Sequence, residues 1–300
     1  MLLAMSSQPT SPYFPALACV VAAILWGLFW YPLRLLEEMG IPGLWSSLII
    51  YCVAMFVMLP FCWKEREGFL QCKREYMLIG LFAGWTNLAF ILAVLEGEIV
   101  RVLLLFYLSP IWAILLAVLI LKEKLTHRAV YSLILAIVGG ALMLWHPDLR
   151  LIEGIGLADF YAITSGMAFA ITNIVIRKMG PTPINLKIGA CCIGVIVLTL
   201  CALAIVQLPI PDITFNSGIL VVLTGFPCML IMIWTAQYGV THLPIQRSSV
   251  IFLLEIVAGA VSAALLTDEI VRNIEYIGGV FIISAGLISV IDEKSHNIAD

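Results

Sequence analysis

Charge is scarce in this chain. Asp, Glu, Lys and Arg together make up 12% of 300 residues, against about a quarter of an ordinary soluble domain. A soluble protein of this length needs more charge than that to solvate its surface. The net charge is −3 and Lys and Arg form no long run, so the chain lacks the electrostatic footprint of a nucleic-acid binder. It has no HExxH, no GxSxG and no glycine-rich phosphate loop, which leaves out the zinc-hydrolase, nucleophile-elbow and nucleotide-driven chemistries those patterns signal. His127, His146, His242 and His296 fall in loops or at helix ends, without a ligand partner at metal spacing. The eight cysteines are Cys19, Cys52, Cys62, Cys72, Cys191, Cys192, Cys201 and Cys228. None forms a CxxC, and they read as small apolar residues of helices. No cofactor or metal is called for. The first fourteen residues lack Lys and Arg, and no small-residue cleavage site follows the apolar run at 16–36. That run is therefore expected to be a retained helix, not a removed leader.

What the chain has is apolar length. Hydrophobic residues reach 62%, and ten runs approach the roughly 20 apolar residues that cross a bilayer as a helix. They lie near 15–36, 44–63, 76–95, 101–121, 128–146, 155–176, 187–208, 217–241, 247–266 and 274–291. Strand-like alternation is missing, so a barrel is left out. Lys and Arg gather on alternate connections. Lys64, Arg66, Lys73, Arg74, Lys122, Lys124, Arg128, Arg177, Lys178, Lys187, Arg247 and Lys294 fall on one side, and Arg34, Arg101, Arg150 and Arg272 on the other. The bias predicts a multi-pass protein of the cell inner membrane with both termini cytoplasmic.

Residues 101–142 return 146 residues later, without a gap, as 247–288. Arg101 falls on Arg247, Phe106 on Phe252, Leu108 on Leu254, Ala117 on Ala263, Leu119 on Leu265, Glu123 on Glu269, Ile137 on Ile283 and Gly140 on Gly286. The matched Arg, Glu and Gly are not a by-product of apolar composition. The earlier helices match less well, though EMGIP at 38–42 and KMGPTP at 178–183 close helices 1 and 6 alike. The chain thus reads as one unit duplicated. The first copy takes 15–146 and the second 155–291, between cytoplasmic tails at 1–14 and 292–300. Five helices is an odd number, so the second copy enters the membrane inverted. Such repeats place a binding site near the midplane, between the halves.

This pattern resembles the drug/metabolite transporter superfamily, EamA type. The resemblance rests on Trp26-Gly27 in helix 1 and on LxxLxPxxAxLLAxLxLxE closing helix 4, here Leu103 to Glu123. Gly139-Gly140 in helix 5 and Leu254-Glu255 in helix 9 add to it, with Ile256 where proline is usual. It covers nearly the whole chain. It implies an all-α integral membrane protein of ten transmembrane helices in two inverted-topology five-helix repeats. It also implies secondary transport of metabolites by alternating access, commonly efflux of amino acids or drugs.

The residues themselves offer a candidate site. Glu255 stands about eight residues, or roughly 12 Å, into helix 9. A charge at that depth costs about 2.5–3.5 kcal/mol and calls for a cavity or a partner. It reads as a contact for a cationic solute or as a proton-coupling carboxylate, against a structural, hydrogen-bonded acid. Trp26, Trp30, Trp85, Asn87, Tyr107, Asn173, Trp234, Gln237, Tyr238 and Phe252 form the rest of the set. Aromatic faces hold cations, and amides hold zwitterions. The competing reading is packing, or a belt at the membrane interface, which is expected for Trp45, Trp63 and Trp145. Pro110 reads as a hinge in helix 4 or a simple bend. Glu123 and Glu269 read as structural caps before helices 5 and 10. Glu96, Glu98 and Arg101 read as an outer-turn cluster.

The expected function is inner-membrane secondary transport of small metabolites, either proton-coupled or facilitative. Amino acids or related amphipathic compounds come first, and a cationic metabolite or drug of sulfonium or quaternary amine type is the alternative. A membrane receptor, enzyme or channel is the reading from another class. The partners are a small-molecule substrate and the lipid bilayer. Oligomeric state is left open, and a monomer is compatible.

Overall fold

A computed structural model of the chain describes residues 13–145, 156–267 and 271–291. No strand occurs among them. Backbone N–H and C=O groups have no water to bond in hydrocarbon, so apolar runs of this length satisfy them internally as helices. The elements are α1 (Phe14–Glu38), α2 (Gly43–Lys64), α3 (Lys73–Glu96), α4 (Ile99–Leu121), α5 (His127–Met143), α6 (Leu157–Met179), α7 (Ile184–Val206), α8 (Phe215–His242), α9 (Ile245–Leu266) and α10 (Asn273–Ile291). A short helix, Arg66–Gln71, links α2 to α3. Among the described residues, nine of the ten are long and apolar enough to cross a membrane. The exception is α5, at 17 residues, or about 26 Å, a modest mismatch for a bilayer.

Four of the helices are interrupted. A turn at Phe29 divides α1 into Phe14–Leu28 and Trp30–Glu38. α4 breaks at Tyr107 and Leu108, between Ile99–Phe106 and Ser109–Leu116. α8 breaks through a π-turn at Thr224–Cys228 that contains Pro227. α9 breaks at Leu253, between Ile245–Phe252 and Leu254–Leu266. Two turns also match. Gly40 and Gly180, each after a Met at the end of α1 and α6, take positive φ of 84° and 55°, a region open to glycine at little cost.

Packing follows a simple exchange. α1 lies against α8 and α9, while α6 lies against α3 and α4. α5 packs on α10 and α2 on α7. The second half of α4 packs on the first half of α9. Their other halves part: the first half of α4 goes to α6 and α3, and the second half of α9 to α1 and α10. One buried core joins α1, α6, α8 and α9 through Cys19, Ile174, Val240 and Ile251. Another joins α2, α7 and α8 through Ile50, Ile188 and Met232.

Candidate functional site

The breaks in α4 and α9 share one register. The first halves, Ile99–Phe106 and Ile245–Phe252, are 146 residues apart at both ends. Pro110 lies in the first turn of the second half of α4, where its missing N–H has no helical partner to lose. Ile256 holds that place in α9, and the break forms without a proline. Its N–H bonds Leu253 O at 3.1 Å, and Ile111 N–H bonds Leu108 O at 2.9 Å.

The two breaks meet through polar atoms. Tyr107 Oη donates to Glu255 Oε1 at 3.1 Å. Both side chains are half-buried, and no basic side chain among the described residues pairs with Glu255. The Tyr107 ring touches Phe106 at 5.6 Å between centroids. From there the rings continue. Phe106 meets Phe90 at 5.1 Å and Phe169 at 5.9 Å. Phe169 meets Phe252 at 6.1 Å and Trp26 at 5.8 Å, and Trp26 meets Phe252 at 5.1 Å. These are edge-on or tilted contacts, the arrangement that ring quadrupoles favour.

Small residues allow the approach. A Cβ on Gly27 of α1 would stand 2.6 Å from Glu255 O and 2.5 Å from Ala258 Cβ. One on Gly166 of α6 would stand 2.8 Å from Phe106 O. Beyond Gly27, Trp30 Nε1 donates to Ser262 Oγ at 2.9 Å, and Ser262 Oγ reaches Gly259 O at 2.8 Å. Trp30 therefore binds α1 to α9 on the side past Glu255.

The other residues singled out from sequence make contacts of their own or are buried. Asn87 accepts from Ser47 Oγ of α2 at 2.6 Å. Trp85 meets Tyr161 of α6 at 6.5 Å. Gln237 is 3% exposed, and its Nε2 donates to Cys191 Sγ of α7 at 3.2 Å. Its Oε1 is buried without a partner among the described residues. Tyr238 is buried between Phe14 of α1 at 5.2 Å and Trp234, stacked at 5.3 Å. Asn173 is buried in α6. Trp63 and Trp145 are exposed. Trp45 is half-buried, and its indole N–H is enclosed without a partner among the described residues.

Charged side chains fasten the helix ends. Glu123, expected to cap α5, reaches α9 instead. Its Oε2 accepts from Ile245 N at 3.0 Å and its Oε1 from Arg177 Nε at 3.2 Å. Thr126 caps α5, accepting from Ala129 N at 3.1 Å. Glu269 lies outside the described residues. Arg177 Nη1 donates to Thr241 O at 2.8 Å, so Glu123 and Arg177 together join α4 and α6 to the α8–α9 turn. Lys187, counted from sequence among loop cations, is wholly buried. Its Nζ donates to Gly180 O at 2.8 Å, Thr241 Oγ1 at 3.1 Å and Ile176 O at 3.3 Å. The end of α6 leaves carbonyls without helical donors, and an ammonium suits that end. At the other end of α6, Arg101 forks onto Asp159, with Nε–Oδ1 2.6 Å and Nη2–Oδ2 2.7 Å. A shallow hollow lined by Arg128, Ser132, Gln246, Arg247 and Ser289 lies at the far end of the first half of α9 from the break.

Phe106 and Phe169 are the site residues that sequence reasoning passed over. Phe106 had a signal, since it falls on Phe252 in the repeat. Phe169 had only a weak one: the offset that carries Met39 to Met179 carries Phe29 to Phe169.

Residues 14–145 and 156–291 each match the EamA-like transporter family. An uncharacterized transporter of Pseudomonas aeruginosa is 25% identical over 173 residues, covering 54% of this chain and 53% of that protein. The chain thus spans about half the length of this curated relative. A solved crystal structure, described only as that of a protein, superposes with a TM-score of 0.76 at 14% identity. It covers 93% of this chain and 98% of that one, a likeness of fold.

Proposed function

Since the chain belongs to the EamA-like transporter family, we propose that it is a secondary transporter moving a small amino-acid-like or amphipathic metabolite past Tyr107 and Glu255 by alternating access. The two five-helix copies, 15–146 and 155–291, lie inverted about an axis in the membrane plane, with both termini on the cytoplasmic side of the cell inner membrane. What supports inversion is the pairing of helices: exchanging each helix for its repeat mate turns α1–α9 contacts into α6–α4 contacts and α1–α8 contacts into α6–α3 contacts. Parallel copies would also share a register, but the Lys and Arg bias favours the odd-numbered unit turned over.

The observation that carries the solute site is the Tyr107–Glu255 hydrogen bond where both helices are broken. A broken helix in a membrane is tolerated where it lines a cavity or is buried in protein. The packed halves of α4 and α9, fastened by Glu123, form the closed cytoplasmic side. The diverging halves, which pack on different neighbours, are assigned to the outer side of the path. Inward opening then requires Glu123 to leave Ile245 N–H and Arg177 to leave Thr241 O.

Amino acids and related amphipathic compounds fit this site through their amino group. A cationic metabolite or drug is the second reading, favoured by a carboxylate that no basic side chain among the described residues neutralises. Driving force comes from the proton gradient acting at Glu255, or transport is facilitative. Counterflow in proteoliposomes tests the proposal. Glu255→Gln is expected to abolish exchange of solutes held through a cationic group; loss of cations with neutral amino acids spared favours the second reading, and loss of amino acids as well favours the first. A variant that exchanges every solute at the wild-type rate removes Glu255 from the site. Turnover of solute without flux points to an enzyme, and unsaturable current to a channel.

A further inference from the structure

We infer that Phe169 determines which solutes the site accepts, its ring supplying the surface on which the body of a cationic solute lies while Tyr107 and Glu255 take the charge. The inference rests on the solute site just proposed. Phe106 and Phe252 are repeat mates, each the last residue before a break. The Phe169 ring touches both at nearly equal distance, 5.9 and 6.1 Å, and meets Trp26 at 5.8 Å. It therefore sits where the two copies of the motif converge. Its depth is fixed from behind. Gly166, three residues earlier on α6, lies so near Phe106 O that a Cβ would stand 2.8 Å away. Phe169, Phe106, Tyr107 and Trp26 are all half-buried rather than sealed in the core, so ring surface remains for a solute.

An aromatic face attracts a cation electrostatically, most strongly out of water. Phe169 is two ring contacts from Tyr107, through Phe106. A small cation held at Glu255 does not span that distance, whereas a long flat one does. Loss of the ring therefore weakens the long solute and leaves the small one alone. A contact of this class corresponds to about a tenfold change in affinity.

The test is counterflow of ethidium, a flat aromatic cation, and choline, a small aliphatic one, in proteoliposomes. The proteins are wild type, Phe169→Leu, Phe169→Tyr and Glu255→Gln. Leucine keeps apolar volume without a ring, and tyrosine keeps the ring. Phe169→Leu is expected to raise KM for ethidium about tenfold, with the maximal rate and the KM for choline within about twofold of wild type. Phe169→Tyr is expected to restore the ethidium KM. An unchanged ethidium KM in Phe169→Leu, equal changes for both cations, or a fall in maximal rate alone overturns the inference. Glu255→Gln separates the two levels. Loss of both cations there, with no effect of Phe169→Leu, leaves the site standing and removes only Phe169. Wild-type behaviour of Glu255→Gln overturns both, and a wild type that moves neither cation overturns this inference together with the cationic reading of the site.

Discussion

A carboxylate in the middle of a spanning helix keeps its place through what it touches. Among the described residues, the hydrogen-bond partner of the Glu255 side chain is one phenol, at 3.1 Å. Hydrogen bonds to charged groups contribute about 1.5–3 kcal/mol, so Tyr107→Phe is expected to raise KM for a cationic solute by about tenfold or more. The melting temperature should fall as well, because the carboxylate loses its hydrogen-bond partner while the ring contact with Phe106 remains. A large fall in melting temperature with unchanged KM assigns Tyr107 to packing instead. Gln237 presents the converse case. Its amide oxygen is buried without a partner among the described residues, and an unmet polar atom costs about 1–3 kcal/mol. Gln237→Met is therefore expected to leave the melting temperature unchanged or raise it, as measured in detergent. Loss of transport in a stabilised variant would mark the amide as a solute contact. Glu255 was legible in the sequence because charge in an apolar run is conspicuous. Phe169 was not, since a phenylalanine among apolar residues carries no mark of its own.

Among the helices, α4 and α9 carry the break, and proline is not what both have in common. α9 breaks at Leu253 with Ile256 in the corresponding place. Pro110→Ala is accordingly expected to leave counterflow within about threefold of wild type, since tertiary packing, not the missing N–H alone, holds the break. A collapse of transport in a variant that still folds would restore Pro110 as the hinge. Glu123 acts across elements too. It satisfies a donor at the start of α9 and a guanidinium at the end of α6. Glu123→Ala leaves both without their acceptor and is expected to favour the inward-open state. Cys19, buried on α1 beside Gly239 of α8, should then react faster with a maleimide applied from the cytoplasmic side of inverted vesicles. Unchanged labelling argues that Glu123 serves folding alone. The sequence suggested a cap at Glu123 but assigned it to the neighbouring helix. Capping from sequence looks a few residues ahead, whereas Ile245 is 122 positions away.

At the scale of the molecule, the proposed inverted arrangement makes a claim about topology. Tags at the two termini should both face the cytoplasm, and a tag in the α7–α8 connection at 207–214 should face outward, as read by impermeant labelling of intact cells. Termini on different faces would sink the inverted arrangement. The apolar runs, their spacing and the 146-residue register were set by the sequence, because lipid forces a continuous apolar segment to close its own hydrogen bonds as a helix. That is a local demand, readable one helix at a time. Which rings meet, where Lys187 goes and what Glu123 holds were decided by tertiary structure alone. Those partners come from helices distant in the chain, and periodicity within a helix carries no record of which neighbour its faces will touch.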